Sequence, residues 1–190
     1  MIITNDPGKS GGFALKELDG KETCYPTPDT EQGIIDLIDR FHEKKQPEEM
    51  VIFYMEQNSG YVGKRKKKKT LICCHCQKEV EYEIEEADPA SRMFNFGENT
   101  GAVKMAVMSR FRVKPKMVTP QAWQRTLGLS RSKGMSKYVW KHTLHIAAKN
   151  MYPFLKPTLK TCDALLILKA AEMTENNLFA QIAEGDGLPF

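Results

Sequence analysis

Residues 1–12 read MIITNDPGKSGG, an apolar run that reaches a single acid and then a turn of small residues. The run over residues 1–5 predicts a β-strand, and Asp6 follows it directly. The small residues after Asp6 let the backbone turn tightly and let a large partner approach it closely. An acid in this position could hold a metal ion, cap a local structure or stay solvated, and these residues leave the three roles open.

The next elements continue outward from this stretch. The hydrophobic pattern predicts strands over residues 13–18 and 22–25, joined by a hairpin turn. A continuous apolar run over residues 50–55 is typical of a strand covered on both faces, and it ends at Glu56. Between these strands, Asp29 or Thr30 can cap a helix whose apolar residues share one face: Ile34, Leu37, Ile38 and Phe41.

A polar stretch, residues 57–92, interrupts the pattern, and helical spacing resumes with Val103. The remaining predicted elements are a strand over 113–119 and helices over 121–126, 136–150 and 159–173. Strands first, then strands alternating with helices, predict an α/β or α+β sandwich built on a mixed sheet. The length of 190 residues suits one domain, 1–190, with residues 57–92 as an insertion.

The composition excludes several classes of protein. The sequence contains no run of about 18 apolar residues and no signal-peptide pattern, so we expect neither a membrane span nor secretion. Its five cysteines are an odd number, and three of them lie within residues 73–76. This is unlike a disulfide framework, and it predicts a reducing, cytoplasmic setting.

Three acids stand at points where the pattern predicts that elements meet. Asp6 and Glu56 end strands that we expect to be neighbours, and Asp163 directly precedes the apolar run Ala-Leu-Leu-Ile-Leu. Each acid alone has a structural explanation, such as a helix dipole acting on Asp163. Three carboxylates converging at one end of a sheet would repel one another unless a divalent cation neutralised them.

Four segments together resemble one known family. They are NDPGKSGGFAL (5–15), VIFYMEQ (51–57), FGENTGAVKMAVMSRFRVKPKMVTPQAWQRTLGL (96–129) and LKTCDALLIL (159–168). In this order they resemble segments of the RuvC-type Holliday-junction resolvases, especially the short phage-borne members. The resemblance covers most of the chain except about residues 57–92.

The resemblance implies an RNase H-like mixed β-sheet flanked by helices, a homodimer, and cleavage of DNA phosphodiesters by two metal ions. Asp6, Glu56 and Asp163 would then hold Mg²⁺ or Mn²⁺. The family often has an acid or a histidine three residues before the last aspartate, where this chain has Lys160. Lys160 cannot be an ordinary metal ligand, but it could contact the scissile phosphate as a catalytic residue.

The expected substrate is branched DNA, above all the four-way junction, in the cytoplasm of a bacterium or a phage-infected host. Two alternatives stay open. Because Lys160 replaces a family ligand, the chain could be a junction-binding protein with impaired cleavage. It could also be an RNase H-like nuclease that acts on flap DNA or RNA–DNA hybrids. The predicted dimer interface is the helix over residues 99–109, which is rich in small and apolar side chains.

Cationic residues near these segments are candidates for phosphate contact. A basic block follows Glu56, and the alternatives for it are a solvated or disordered stretch and a nuclear-localisation signal. Tyr61 could stack on an unpaired base or pack on the surface. The predicted DNA-binding residues are Lys9, Tyr61, Lys64, Arg65, Lys66, Lys67, Lys68, Lys69, Arg131 and Lys133.

The inserted stretch also carries Cys73-x-x-Cys76 within the sequence TLICCHCQKEVEYEI, which predicts a β-hairpin with a cysteine-bearing turn. Such a pair matches half of a zinc ribbon, and a complete zinc site needs about four ligands. Two protomers could supply Cys73 and Cys76 once each across a twofold axis. The alternative is a hairpin with thiols that bind no metal.

Overall fold

A computed structural model describes residues 1–57, 64–74, 76–87 and 90–183 of the chain. Two compact units are present, one formed by Met1–Asn58 with Asn99–Phe190 and the other by Ser59–Glu98. The first unit contains the acids singled out above, and the second contains the basic block and the Cys73-x-x-Cys76 sequence.

The first unit is built on a mixed sheet of five strands. Its strands are β1 Ile2–Asp6, β2 Gly12–Lys16, β3 Glu22–Pro26, β4 Ile52–Glu56 and β7 Lys116–Val118. Their order is β3-β2-β1-β4-β7; β1, β4 and β7 are parallel, and β1, β2 and β3 form an antiparallel meander. This sheet and its helices confirm the prediction of an α/β protein with a mixed sheet.

The helices are α1 Glu31–Glu43, α2 Ala90–Phe111, α3 Pro120–Thr126, α4 Lys137–Met151 and α5 Cys162–Ala183, with a 3-10 turn at Pro153–Leu155. Thr30 caps α1, and its four predicted apolar residues are buried, as expected. The start of α5 was predicted three residues too early. Thr158 and Thr161 hydrogen-bond each other's backbone amides before the helix begins, which forms a turn there instead. Within the described residues, no helix is long and apolar enough to cross a membrane.

The pleat of the sheet divides the core between its two faces, because neighbouring residues of a strand point to opposite sides. On one face, Ile3, Phe13 and Met55 pack against α1 and against the α2 residues Val103 and Val107. The other face is covered by α5, with α3 and α4 packed on that helix through Trp123, Leu144, Ala148, Leu166 and Ile167. The sheet thus lies between two helical layers.

Helix α5 is attached to the sheet by polar contacts as well as by packing. Near its start, the Thr4 hydroxyl donates a 2.7 Å hydrogen bond to the carbonyl of Ala164. Farther along, the buried Glu172 accepts from Lys16 of β2 at 2.6 Å. The buried Glu175 accepts from Lys116 of β7 and from the Tyr54 hydroxyl, each at 2.6 Å. Burial of both carboxylates is compensated because each has a cationic partner.

The second unit contains an antiparallel hairpin of β5, Lys64–Ile72, and β6, Glu79–Ala87. Its register sets the basic block against an acidic strand, with Arg65 opposite Glu86 and Lys66 opposite Glu85. The turn is closed by a hydrogen bond from the Cys73 amide to the Lys78 carbonyl, 2.9 Å long. The prediction of a cysteine-bearing hairpin is thereby confirmed.

Gly12 of β2 offers a test of how closely the sheet packs against the turn before α5. A Cβ atom at this position would lie 2.8 Å from the Tyr25 carbonyl oxygen and 2.9 Å from that of Lys160. Both are backbone atoms, so the strand and the approach to α5 would have to shift. We expect Gly12→Ala to lower the free energy of unfolding by about 2–3 kcal/mol in urea titrations.

The control is Gly97→Ala in α2, where a Cβ meets nothing within 4 Å. We expect it to stabilise by up to about 1 kcal/mol, and equal stabilities of the two variants would contradict the packing.

Candidate active site

Three acidic side chains meet at one end of the sheet. Strands β1 and β4 are parallel and paired in register up to Asn5 and Met55, so Asp6 and Glu56 come next to each other at the same end. The hydrogen bond from Thr4 to the Ala164 carbonyl fixes the start of α5 on β1, one residue after Asp163. The convergence expected from the sequence is therefore present.

The turn after Asp6 is closely packed around it. A Cβ atom on Gly11 would lie 2.0 Å from the Asp6 carbonyl oxygen and 3.2 Å from its carboxyl carbon. Gly8 has a positive φ of 122°, which side-chain-bearing residues rarely adopt, and its amide donates to the Asn99 side chain at 3.3 Å. Small residues are thus required for the backbone to fold back beside the acid. Lys9 is exposed in the same turn.

The electrostatics of the cluster disfavour the ionised forms of two of its carboxyl groups. Burial raises the pKa of Asp6 well above its usual value, and the charges of Glu56 and Asp163 raise it further. Burial also raises the pKa of Glu56 to about 7, and Asp163 adds to this shift. Groups with pKa values shifted in this way collect at functional sites, because their charge is completed by a ligand or used in chemistry.

Trp123 fixes the position of Glu56. Its indole Nε1 donates a 2.9 Å hydrogen bond to Glu56 Oε2, and the ring is fully buried on α3. Sequence analysis did not anticipate this contact. A tryptophan at helical spacing predicts a core residue, and it is one, but the partner of its N–H group depends on how α3 crosses the end of β4.

Lys141 is the cation of this cluster, and sequence analysis missed it. From α4 its Nζ atom reaches Asp163 Oδ2 at 2.6 Å. Burial alone would lower the pKa of Lys141, but the charge of Asp163 and this hydrogen bond raise it instead. One signal was available: Lys141 lies three and seven residues before the buried Leu144 and Ala148. It therefore shares the buried face of its helix, where an unpaired lysine would be costly.

The other residues that were predicted for catalysis or DNA binding come from separate parts of the chain. Lys160 is exposed in the turn before α5, and its side chain is not among the charges that shift the pKa of Asp6 or Glu56. Arg131 and Lys133 are exposed on the loop before α4, and the Arg131 guanidinium donates to the Met135 carbonyl. Tyr61 lies outside the described residues.

A cleft of about 990 Å³ that carries several cationic and amide side chains opens beside Glu56. Its cationic and amide residues come from α3, α4 and the loop between them. Because these groups adjoin a candidate catalytic carboxylate, the cleft is suited to an anionic polymer. Its main polar residues are Gln121, Gln124, Arg125, Arg131 and Lys137, with Trp140 at one wall.

Lys68 of the basic block is paired with a carboxylate of its own hairpin. Lys68 forms a 3.3 Å ion pair with Glu81, and both side chains are well exposed. Exposed pairs of this kind contribute little to stability. Cys73 is half-buried, Cys76 is exposed, and neither is in a disulfide. Zinc binding by these two cysteines stays a prediction.

The acidic cluster fits a hard divalent cation in its chemistry. Three carboxylates supply oxygen ligands, which Mg²⁺ and Mn²⁺ prefer, and a bound cation would favour the ionised form of Asp6, whose pKa is raised. As the side chains stand, no group of three or more His, Cys, Asp or Glu among the described residues is arranged to hold a metal ion. Trp123 donates a hydrogen bond to one oxygen of Glu56, and Lys141 donates one to an oxygen of Asp163. An ion would therefore have to draw the carboxylates together.

Comparison of the sequence with protein-family models gave no match, and comparison with curated proteins gave none.

The raised pKa of Glu56 predicts how stability changes with pH in buffer containing EDTA. Below about pH 4.5 the Glu56 carboxyl is protonated in both the folded and the unfolded forms, so its titration does not change the free energy of unfolding. Between pH 4.5 and 7 the unfolded form releases the proton while the folded form keeps it, and the free energy of unfolding falls. The shift from 4.5 to about 7 corresponds to roughly 3 kcal/mol.

Urea titrations at pH 5 and pH 8 measure this loss. In Glu56→Gln, which keeps an oxygen for Trp123, we expect the decrease to be smaller by up to about 2–3 kcal/mol. The control Asp29→Asn changes an exposed carboxylate and should decrease as the wild type does. An identical decrease in Glu56→Gln and wild type would contradict the assignment.

Proposed function

We propose that this protein is a divalent-cation-dependent endonuclease of the RNase H-like type that cleaves branched DNA, most specifically the Holliday junction. The observation that carries the proposal is the convergence of Asp6, Glu56 and Asp163 from β1, β4 and α5, with raised pKa values at Asp6 and Glu56. The mixed sheet between two helical layers supports the RNase H-like architecture.

Asp6, Glu56 and Asp163 would hold Mg²⁺ or Mn²⁺, which when bound activates a water molecule and stabilises the leaving 3′ oxygen. The protein positions these ligands. Trp123 orients Glu56 through the indole N–H group, and Lys141 orients Asp163 through its ammonium group. Gly11 lets the backbone fold back closely beside Asp6, at a position where a Cβ atom would collide with the Asp6 carbonyl oxygen.

The DNA path is supported by the cleft beside Glu56. Arg125 and Lys137 would neutralise phosphates there, and the side-chain amides of Gln121 and Gln124 can hydrogen-bond to phosphates or to base edges. These groups line the same cleft as Glu56 and Trp140. Lys9 in the turn after Asp6 would contact the backbone nearer to the acids.

A homodimer would place two such sites on one junction. Its support is an apolar groove of about 510 Å³ between α1 and α2, lined in part by Ile38, Ala102 and Ala106. Ile35 and Met105 are large apolar side chains on this groove, and they are 43% and 65% exposed. Exposed apolar surface of this kind is typical of an interface, and the groove includes part of the helix predicted for that role.

Substitution of the acids tests the proposal. We expect Asp6→Asn, Glu56→Gln and Asp163→Asn each to abolish Mg²⁺-dependent nicking of a four-way junction, because the cation loses a charged ligand. Junction binding in a gel-shift assay should be unchanged or tighter, since repulsion of phosphates is reduced. Asp29→Asn, at an exposed site on the same unit, should cut as the wild type does.

The same assay separates the alternatives when duplex, flap DNA and RNA–DNA hybrid are included. Cutting of flaps or hybrids without junctions would assign another substrate. Binding of junctions without cutting in Mg²⁺ or Mn²⁺ would indicate a junction-binding protein with impaired cleavage. This alternative stays open because Lys160 stands where the family often has an acid or a histidine. Substantial cutting by any of the three acid variants would reject the assignment of the site.

The basic block gives a separate prediction about binding. Replacing Lys66–Lys69 with serine should weaken junction binding and flatten its salt dependence. Each lysine that contacts a phosphate contributes about 0.9 to the slope of log K against log salt, or about 3.6 for four. Lys21→Ser, at an exposed turn of the other unit, is the control and should leave the slope unchanged. An unaltered slope in the serine variant would mean that the block pairs with its own hairpin and not with DNA.

A further inference from the structure

A second cleft lies on the opposite side of the acidic cluster from the cleft beside Glu56. The sheet order is β3-β2-β1-β4-β7, and the first cleft is formed by residues that follow β7. The second cleft has a volume of about 680 Å³ and includes Pro26, at the end of β3 on the other edge of the sheet. Pro26 is paired with Gly12, and Gly12 is paired with Asp6. Both clefts therefore open at the end of the sheet that carries the acids.

The turn before α5 forms one wall of this second cleft and brings it next to the acids. A Cβ atom on Gly12 would come within 2.9 Å of the Lys160 carbonyl oxygen. Lys156 and Lys160 line the cleft, both are exposed, and none of the described residues that line it is acidic. Other parts of the wall are apolar, including Pro26 and Leu155. An apolar surface edged by cations complements a polymer in which phosphates are joined to flat rings.

The turn is held rigidly although much of it faces solvent. Pro153 and Pro157 each fix one backbone torsion, and His145 Nε2 donates a 2.7 Å hydrogen bond to the Pro157 carbonyl. Between the two prolines, Lys156 has a φ of 48°, a left-handed conformation that is unfavourable for a lysine and not for a glycine. Backbone strain of this kind is concentrated at binding and catalytic sites.

The same turn presents an aromatic ring to solvent. Phe154 is 94% exposed, which is the highest value among the large apolar side chains of the described residues. Single exposed apolar side chains are common on protein surfaces, but Phe154 lies in a fixed 3-10 turn two residues before Lys156. Aromatic rings beside lysines are typical of surfaces that bind single-stranded nucleic acid, because bases stack on the rings while the cations meet the phosphates.

We propose that this second cleft binds the DNA strand that runs from the cleft beside Glu56 past the acids. Lys156 and Lys160 contact phosphates of that strand, and Phe154 stacks on an unpaired base. The inference rests on the proposed function, because it continues the substrate strand of that function beyond the acidic cluster. Two clefts that hold one strand on either side of the acids would fix which phosphate lies at them.

Lys156→Gly tests the phosphate contact, because it removes the charge and relieves the backbone strain in one step. Binding of the full-length protein to a four-way junction is measured by fluorescence anisotropy in EDTA over a range of salt concentrations. We expect the slope of log K against log salt to fall by about 0.9 and the melting temperature to rise by about 1–4 °C. A lysine with a purely structural role would not give a variant that is more stable and yet binds DNA less tightly.

Arg112→Gly is the matched control. Arg112 is also an exposed cation with a positive φ, 58°, but it precedes β7 and so lies at the end of the sheet opposite the acids. This variant should gain similar stability and keep the wild-type slope. Lys160→Met removes the second charge without relieving strain, and it should lower the slope by about 0.9 with no rise in melting temperature.

Phe154→Ala tests the stacking with a single-stranded thymidine oligomer, in which every base is unpaired. We expect its affinity to fall about 5–150-fold, the range of one base stacked on an aromatic ring. Phe154→Trp should keep the affinity, and binding of fully paired duplex should change little in either variant. The control Met50→Ala removes another exposed apolar side chain, 69% exposed and located before β4, and should bind the oligomer as the wild type does.

Three results would overturn the inference and leave the proposed endonuclease in place. The first is an unaltered salt slope in Lys156→Gly or Lys160→Met, and the second is a loss of oligomer affinity in Phe154→Ala no greater than in Met50→Ala. The third is a lower mass of Phe154→Ala in solution with unchanged DNA affinity, which would assign the turn to contact with a second copy of the chain. Wild-type protein that cuts no DNA in Mg²⁺ or Mn²⁺ would instead reject the proposed endonuclease.

Discussion

Mutual repulsion among Asp6, Glu56 and Asp163 is the constraint around which this end of the protein is organised. Burial strengthens that repulsion, as the raised pKa values of Asp6 and Glu56 show. The surrounding elements each supply a compensation: α3 brings the Trp123 indole N–H to Glu56, and α4 brings the Lys141 ammonium to Asp163.

Much of the architecture follows from local patterns in the sequence. Helix α1 was predicted with its buried face and with Asp29 or Thr30 as its cap, because capping and helical spacing are short-range signals, and Thr30 is the cap in the structure. The convergence of Asp6 and Glu56 was predicted because each acid ends an apolar strand, and parallel neighbours end together. Residues 113–119 were predicted as a strand, but β7 is only Lys116–Val118, since Pro115 removes a backbone donor just before it.

The contacts that complete the site could not be predicted in the same way. Lys141 and Asp163 are 22 residues apart on two helices, and their meeting depends on how α4 crosses α5. Trp123 had an adequate explanation as a core residue, which concealed its bond to Glu56. The hairpin register that sets Arg65 opposite Glu86 depends on where the turn at Cys73 closes. These are properties of tertiary geometry, and no periodicity in a single sequence encodes them.

Two ion pairs in the middle of α5 anchor that helix to the sheet at a distance from the acidic cluster. Glu172 and Glu175 are bonded to strands β2 and β7 on the two sides of the central strand pair, nine and twelve residues beyond Asp163. At 1.5 Å of rise per residue, the anchor lies roughly 13–18 Å from the acid that it positions. Small shifts of Lys16 or Lys116 would therefore be transmitted along helix α5 to Asp163. The position of Asp163 is thus set in part by contacts two to three helical turns away from it.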